Sequence, residues 1–237
     1  MGNRDSKSTS LINNIGAKPL DLLMFSSNGI LGNIIGELEK LELGAGKWTH
    51  TGLVITSEIM PDVKSIKPGK MYVLESTLGL EVPDIKGENH RYGPQIRDVE
   101  AILQTEYKSG TVALFKLKNN PFRTAPTGSF DRTNKDIADI QSKFKDIYND
   151  VSTKEYDIIG PIPGLFPSCR KEFNAIPIVN KYIEERFYCS ELCAYVYKQF
   201  NIISQNVNPA YVVPEDFMGN DKDGMKIEFD GLPILIK

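Results

Sequence analysis

The sequence predicts a mixed α+β fold, on three observations. Strand-like runs rich in β-branched or apolar residues recur at Leu20–Phe25, Thr51–Ile59, Met71–Ser76 and Thr111–Leu117. Apolar residues at helical spacing mark several further segments, most clearly the one beginning at Cys189. The chain has 237 residues, enough for one substantial core or at most two small ones.

The elements follow in order. Residues 1 to 16 read as a flexible Ser/Thr-rich tail, and 17–237 as the folded domain. Leu20–Phe25 is a short apolar strand. Ile30–Leu43 carries apolar residues at 31, 34, 35, 38 and 41, which is helical spacing. Trp48–Ile55 and the run on to Ile59 read as a strand, and Pro61–Gly69 supplies turn chemistry before the strand at Met71–Ser76. Asp98–Tyr107 predicts a short helix and Thr111–Leu117 a strand. The stretch 119–133 is a loop of Asn, Pro, Gly, Thr and Arg. Thr133 or Asn134 caps the next helix, whose Ile137, Ile140, Phe144, Ile147, Tyr148 and Val151 share one face. A Pro-rich insertion near 159–177 precedes the helix Cys189–Phe200, with Leu192, Cys193, Val196 and Phe200 on one face. Leu232–Ile236 closes the chain as a strand.

Composition narrows the function classes. Hydrophobic residues make up 41% and charged residues 25%, as in ordinary globular proteins. A net charge of −3, with no cluster of basic and aromatic residues, gives no field for nucleic acid. No stretch approaches the roughly 20 apolar residues of a membrane span, and Met1–Ser10 lacks the apolar run of a secretory signal. Three cysteines make no disulfide framework, so a reducing, cytoplasmic setting is expected. Met1-Gly2-Asn3-Arg4-Asp5-Ser6 matches the N-myristoylation pattern, with Gly2 as the acceptor, in a eukaryotic or eukaryote-infecting source. One acyl chain would give only weak, reversible membrane association.

Two residues stand out chemically. Cys189 opens an amphipathic helix, where unpaired backbone N–H groups and the helix dipole favour a thiolate. His50 lies in a strand, and an imidazole beside a thiol completes a nucleophile–base pair. Each has a plainer reading: Cys189 as a core cysteine on the apolar face of its helix, His50 as a structural strand histidine. Other site types fit less well. His50, His90, Cys189 and Cys193 could be written as a zinc set, but the two cysteines are spaced i, i+4 on a helix, unlike a Cys-x2–4-Cys knuckle. Gly44-Ala45-Gly46-Lys47-Trp48 lacks the first glycine of a phosphate loop and has Trp48 where a hydroxyl should bind magnesium. No metal or other cofactor is called for.

The motifs taken together resemble the circularly permuted, NlpC-type papain-like cysteine hydrolases. The likeness is to the YiiX-like branch and its poxviral relatives, with lecithin:retinol acyltransferase-like proteins as cousins. Leu20-Asp21-Leu22-Leu23-Met24-Phe25 resembles that family's first strand, with leucine in place of the usual glycine. His50-Thr51-Gly52-Leu53-Val54 resembles its histidine strand, and Tyr72-Val73-Leu74-Glu75-Ser76-Thr77 its third. Tyr188-Cys189-Ser190-Glu191-Leu192 resembles its nucleophile helix, and Val213-Pro214-Glu215-Asp216-Phe217 its downstream segment. The likeness spans roughly residues 19–218, and the histidine precedes the cysteine, the permuted order.

The resemblance implies an antiparallel sheet packed against the Cys189 helix. It also implies a hydrolase or acyltransferase that attacks an amide, ester or thioester of an acyl, lipid or peptide substrate. Cys189 would be the nucleophile, His50 the base and Glu75 the residue orienting the imidazole. The Cys189 backbone N–H is the first oxyanion donor, with Tyr188 or another hydroxyl as the second. The apolar, proline-stiffened Ile159–Pro167 is expected to cover the Cys189 pocket and favour lipid-like groups. The alternative from another class is a catalytically silent lipid- or peptide-binding module on the same fold.

Overall fold

The computed structural model describes residues 15–26, 48–79, 81–87, 92–123, 134–156, 186–218 and 225–237. The tail up to residue 14 with Gly2, the helix expected at Ile30–Leu43, Gly44–Lys47, His90, Cys169 and the insertion 159–177 lie outside the described residues.

The strands are β1 Leu22–Ser26, β2 His50–Ile55, β3 Tyr72–Thr77, β4 Gly93–Asp98, β5 Thr111–Phe115, β6 Glu155–Tyr156, β7 Arg186–Phe187 and β8 Ile234–Leu235. Six of them form one sheet in the order β4-β3-β2-β1-β5-β8, every neighbouring pair antiparallel. β6 and β7 form a small parallel pair. The helices are α1 Val99–Gln104, α2 Asn134–Val151 and α3 Cys189–Gln199. The fold is therefore α+β, with its six-stranded sheet wholly antiparallel.

Side-chain alternation along each strand divides the core in two. Leu53 and Ile55 of β2, Leu74 of β3 and Phe115 of β5 pack with Phe144 of α2 and Leu192, Val196 and Tyr197 of α3. On the opposite face Val54, Val73, Val112 and Leu114 pack with Val99 and Ile102 of α1. Both strand faces are covered, so the inner strands read as continuous apolar runs rather than as alternation. On α2, Phe144, Ile147, Tyr148 and Val151 are buried, whereas Ile137 and Ile140 are half-buried.

Several boundaries differ from the sequence reading, each for a local reason. β2 stops at Ile55 because the Thr56 hydroxyl and carbonyl accept the N–H groups of Glu58 and Ile59 and turn the chain. α1 begins one residue late, since Asp98 is its N-cap, its carboxylate accepting the Ala101 N–H at 3.2 Å. It ends at Gln104, before a turn that carries Glu106 and Tyr107. β4 has no counterpart in the sequence reading. Its Gly-Pro-Gln-Ile-Arg-Asp run lacks apolar alternation, yet Gln95, Ile96 and Arg97 are all buried.

The start of β1 is a polar knot. Asp21 Oδ1 accepts from the Leu117 N–H and the Asn120 amide, and Oδ2 from the Lys18 N–H and Arg123. Burial raises the Asp21 pKa against these four donors. Leu20, standing where the resemblance expects glycine, has a φ of 70° and is fully buried. This is the left-handed region that glycine enters freely. The Leu20 carbonyl accepts the Tyr197 hydroxyl at 2.9 Å, so α3 is tied to the entry of β1.

Candidate active site

β2 pairs with β3 only over Leu53↔Leu74, Val54↔Val73 and Ile55↔Tyr72. β3 continues past that point beside β4, as far as Thr77↔Gly93. The segment leading into α3 inserts where the first ladder stops. On its β3 side the Ser76 hydroxyl donates to the Phe187 carbonyl at 2.5 Å. On its β2 side the Thr51 N–H is near enough to the Cys189 sulfur to favour its thiolate. This insertion brings His50 and Cys189 together. His50 shares a strand face with Val54, the face away from the body of α3, yet its side chain and the Cys189 thiol act on each other.

The start of α3 is held from the far side as well. The Tyr188 hydroxyl donates to the carbonyls of Ala210 and Val212 at 2.9 and 3.0 Å, and the Ser190 hydroxyl donates to Val212 at 2.6 Å. The Glu191 carboxylate accepts the Tyr188 N–H at 3.3 Å, the return half of a capping box. Downstream, Asp216 accepts the Val213 N–H at 2.9 Å, and Glu215 accepts the N–H of Trp48 at 3.4 Å, two residues before His50. The 210–217 segment thus braces both the entry to the histidine strand and the nucleophile helix.

His50 Nε2 and Glu75 Oε2 are 2.5 Å apart, and Glu75 is fully buried. With Nε2 taken, Nδ1 remains for Cys189, whose thiol and the His50 side chain shift each other toward the charged pair. The Phe25 ring lies 5.3 Å from the imidazole, and the Tyr107 ring stacks over it at 6.3 Å and 22°. These two rings flank the imidazole.

The electrostatics follow from burial opposed by charge. Burial pushes the Cys189 thiol up, but the charge and hydrogen bond of His50, with the N–H groups of Thr51 and Ser190 at the sulfur, bring it below its ordinary value. Burial disfavours the His50 cation, yet the Cys189 and Glu75 charges raise it to about 10. Glu75 is lowered, since Arg97 and His50 together outweigh its burial. Cys193, one turn along α3, moves the other way: its burial is reinforced by the nearby charges of Cys189 and Glu75, and it is an ordinary buried thiol.

Of the residues singled out from sequence, Cys189, His50 and Glu75 meet in space. Tyr188 is corrected as an oxyanion donor: its single hydroxyl proton is turned away, toward Ala210 and Val212. The Cys189 backbone N–H stands at the first position of α3, where helix geometry provides no intrahelical acceptor.

The sequence reading passed over Arg97, which is fully buried and binds Glu75. It also passed over Gly52 as a steric requirement. A Cβ at Gly52 would lie 2.3 Å from Val73 Cγ2 and 3.2 Å from Glu75 Cβ. The signal for Arg97 was an arginine two residues beyond Gln95 in a short strand, with a partner carboxylate on the neighbouring strand. That signal appears only once β3 and β4 are known to pair Glu75↔Gln95 and Val73↔Arg97.

No family model and no curated protein matches this chain. Among the described residues, no helix is long and apolar enough to cross a membrane, and no group of three His, Cys, Asp or Glu side chains could hold a metal ion.

Proposed function

We propose that this chain is a cysteine-nucleophile hydrolase or acyltransferase on a permuted papain-like fold, acting on an amide, ester or thioester through a covalent thioester. The observation that carries the reading is the imidazole of His50 shared between the Glu75 carboxylate and a Cys189 thiol at a helix start. The order of histidine before cysteine and the bracing by the Pro-Glu-Asp segment add support.

The chemistry is balanced by these groups alone. The Cys189 thiolate adds to the substrate carbonyl carbon, and the oxyanion takes a hydrogen bond from the Cys189 N–H. The His50 imidazolium gives its proton to the departing nitrogen, oxygen or sulfur, leaving an acyl thioester and a neutral imidazole. Water or an acyl acceptor then attacks the thioester as His50 takes its proton. The thiolate leaves and the thiolate–imidazolium pair is restored. Glu75 stays ionised throughout and favours the cationic imidazole at each proton transfer. The substrate class is an acyl group on a lipid or a peptide, and acylation at Gly2 would bring the enzyme weakly to a membrane carrying the former.

The test is the pH profile of Cys189 alkylation by a short iodoacetamide pulse, read by mass spectrometry beside Cys193. Cys189 should label rapidly below the ordinary thiol pKa of 9.0, and Cys193 should not. His50→Ala should move the Cys189 midpoint up to the ordinary thiol range, and Glu75→Gln should move it part of the way. A wild-type midpoint already at the ordinary value would refute the reading. Fatty-acyl and peptide thioester probes would then identify the acyl donor. A Cys189 that alkylates readily but forms no thioester with either would favour the silent binding module.

A further inference from the structure

Resting on that reading, the structure points to a fourth functional residue. The guanidinium of Arg97 is fully buried and lies between two carboxylates. Its Nε and Nη2 both lie 2.8 Å from Glu75 Oε1, the oxygen that His50 does not use. Its Nη1 and Nη2 bind Glu106 bidentately, at 2.5 and 2.7 Å. Nη1 also approaches the carbonyls of Gly79 and Val82 at 3.4 Å. The arginine fork is thus used along both edges, a geometry that a lysine ammonium cannot reproduce.

Charges alternate along the row from Cys189 through His50, Glu75 and Arg97 to Glu106. A lone buried carboxylate tends to take up a proton rather than stay charged. Glu75 has one oxygen on a titratable imidazole, and Arg97 supplies a permanent cation on the other. Glu106 in turn locks Arg97 from the turn that follows α1. That turn also carries Tyr107, which stacks on His50, so one surface turn steadies both the carboxylate and the imidazole. Gly79 is part of this lock, since a Cβ there would lie 2.3 Å from Glu106 Oε2.

We propose that Arg97 is a positioning residue. It touches no substrate, fixes Glu75 so that Oε2 meets His50 Nε2, and through that contact sustains the nucleophilicity of Cys189. Among the described residues, the titratable groups whose charges meet the thiol are His50 from β2, Tyr107 from the turn after α1 and Cys193 from α3 itself, with Glu75 from β3, Arg97 from β4 and Glu106 ranked behind His50.

The experiment compares the pH profile of Cys189 alkylation in the full chain for wild type, Arg97→Lys, Glu75→Gln and the double variant. Urea unfolding of each reports whether it is folded. Arg97→Lys keeps the charge but loses the fork. It should raise the alkylation midpoint by about one unit, slowing labelling below the midpoint about tenfold. In the Glu75→Gln background the same change should add no further shift, because the residue it acts through is gone. A folded Arg97→Lys protein with the wild-type profile would overturn the proposal. So would equal shifts in both backgrounds.

Should Arg97→Lys not fold, wild-type protein labelled with 13C at glutamate carboxyls decides the matter. The Glu75 resonance should stay that of a carboxylate down through the usual carboxylate range. Protonation of Glu75 within that range would refute the role of Arg97. These outcomes are separable from failure of the underlying reading. A wild-type Cys189 no more reactive than an ordinary thiol removes the nucleophile itself. A reactive Cys189 indifferent to Arg97 removes only this inference.

Discussion

Gly52→Ala puts a methyl group into the seam between β2 and β3, beside the carboxylate that binds His50. The new Cβ would lie 2.3 Å from Val73 Cγ2, 3.1 Å from the Leu74 carbonyl oxygen and 3.2 Å from Glu75 Cβ. Carbon atoms in good contact stand about 3.5–4.0 Å apart, so Val73 would have to retreat by more than about 1 Å. Val73 is fully buried against its own cluster, and the Leu74 carbonyl belongs to the ladder, so neither can yield cheaply.

Overpacking of this kind costs about 1–3 kcal/mol. Replacing glycine in extended backbone returns about 0.4–1 kcal/mol by restricting the unfolded chain. Steric cost therefore wins, with a net loss of about 1–2 kcal/mol. At about 2–4 °C per kcal/mol for a chain of this length, thermal unfolding should drop by about 2–8 °C. The same displacement pushes Glu75 off His50, so the alkylation midpoint of Cys189 should rise in parallel. Calorimetry and the iodoacetamide profile on one preparation test both halves. An unchanged melting temperature with an unchanged midpoint would refute the claim that the glycine of His-Thr-Gly is a steric requirement of the site.

Two further outcomes are expected. Stability set by the Cys189–His50 pair should decline between pH 9.0 and about 10. Raised in the folded state, His50 contributes stability that is present below its ordinary 6.5 and lost as pH climbs through about 10; the lowered Cys189 contributes stability present above 9.0 and lost as pH falls through its folded value. The two slopes oppose each other below 9.0, and only the His50 loss remains above it. Urea titrations of wild type minus a Cys189→Ala/His50→Gln protein should show the decline, and a rising difference across that window would contradict it. Leu20→Gly relieves about 1–2 kcal/mol of left-handed strain but empties a fully buried leucine site worth about 2–5 kcal/mol, so it should destabilise the protein by about 1–3 kcal/mol in urea unfolding. A gain in stability would show that the strain at φ 70° is the larger effect.

The sequence made visible the parts of the molecule whose burial is apolar. Leu22–Phe25, Leu53–Ile55 and Tyr72–Leu74 announce inner strands because both of their faces are covered, and the spacing of Leu192, Cys193 and Val196 announces α3. What stayed hidden is polar burial. Gln95 and Arg97 are inside, but a pattern reading assigns such residues to the surface, so β4 went unread and the cation behind Glu75 with it. The Tyr188 hydroxyl was equally opaque, because its acceptors lie more than twenty residues along the chain, at Ala210 and Val212. Strand ends were misjudged where a side chain closes a turn, as Thr56 does after β2.

The groups at the Cys189 sulfur divide sharply by their response to pH. The N–H groups of Thr51 and Ser190 are backbone donors, fixed in place by β2 and α3, and neither gains nor loses a proton in any ordinary range. Among the described residues, the titratable group that acts most strongly on the sulfur is His50. The thiolate is thus provided with a constant electrostatic floor and a main variable, the charge on one imidazole. Whatever holds that charge governs the nucleophile, and the contacts lead outward from His50 to Glu75, from Glu75 to Arg97, and from Arg97 to Glu106 in the turn after α1. An arginine cannot be neutralised in the accessible range, so the row holds, directly behind Glu75, a cation that pH does not switch off. On this logic the acid limit of activity belongs to the Cys189 thiol and the alkaline limit to His50, near 10, with Glu75 contributing neither. Glu75→Gln should therefore leave a two-limbed rate profile with its alkaline limb moved to lower pH, since the imidazolium loses its carboxylate. An alkaline limb that stays in place would separate Glu75 from the control of His50 and break the row at its second link.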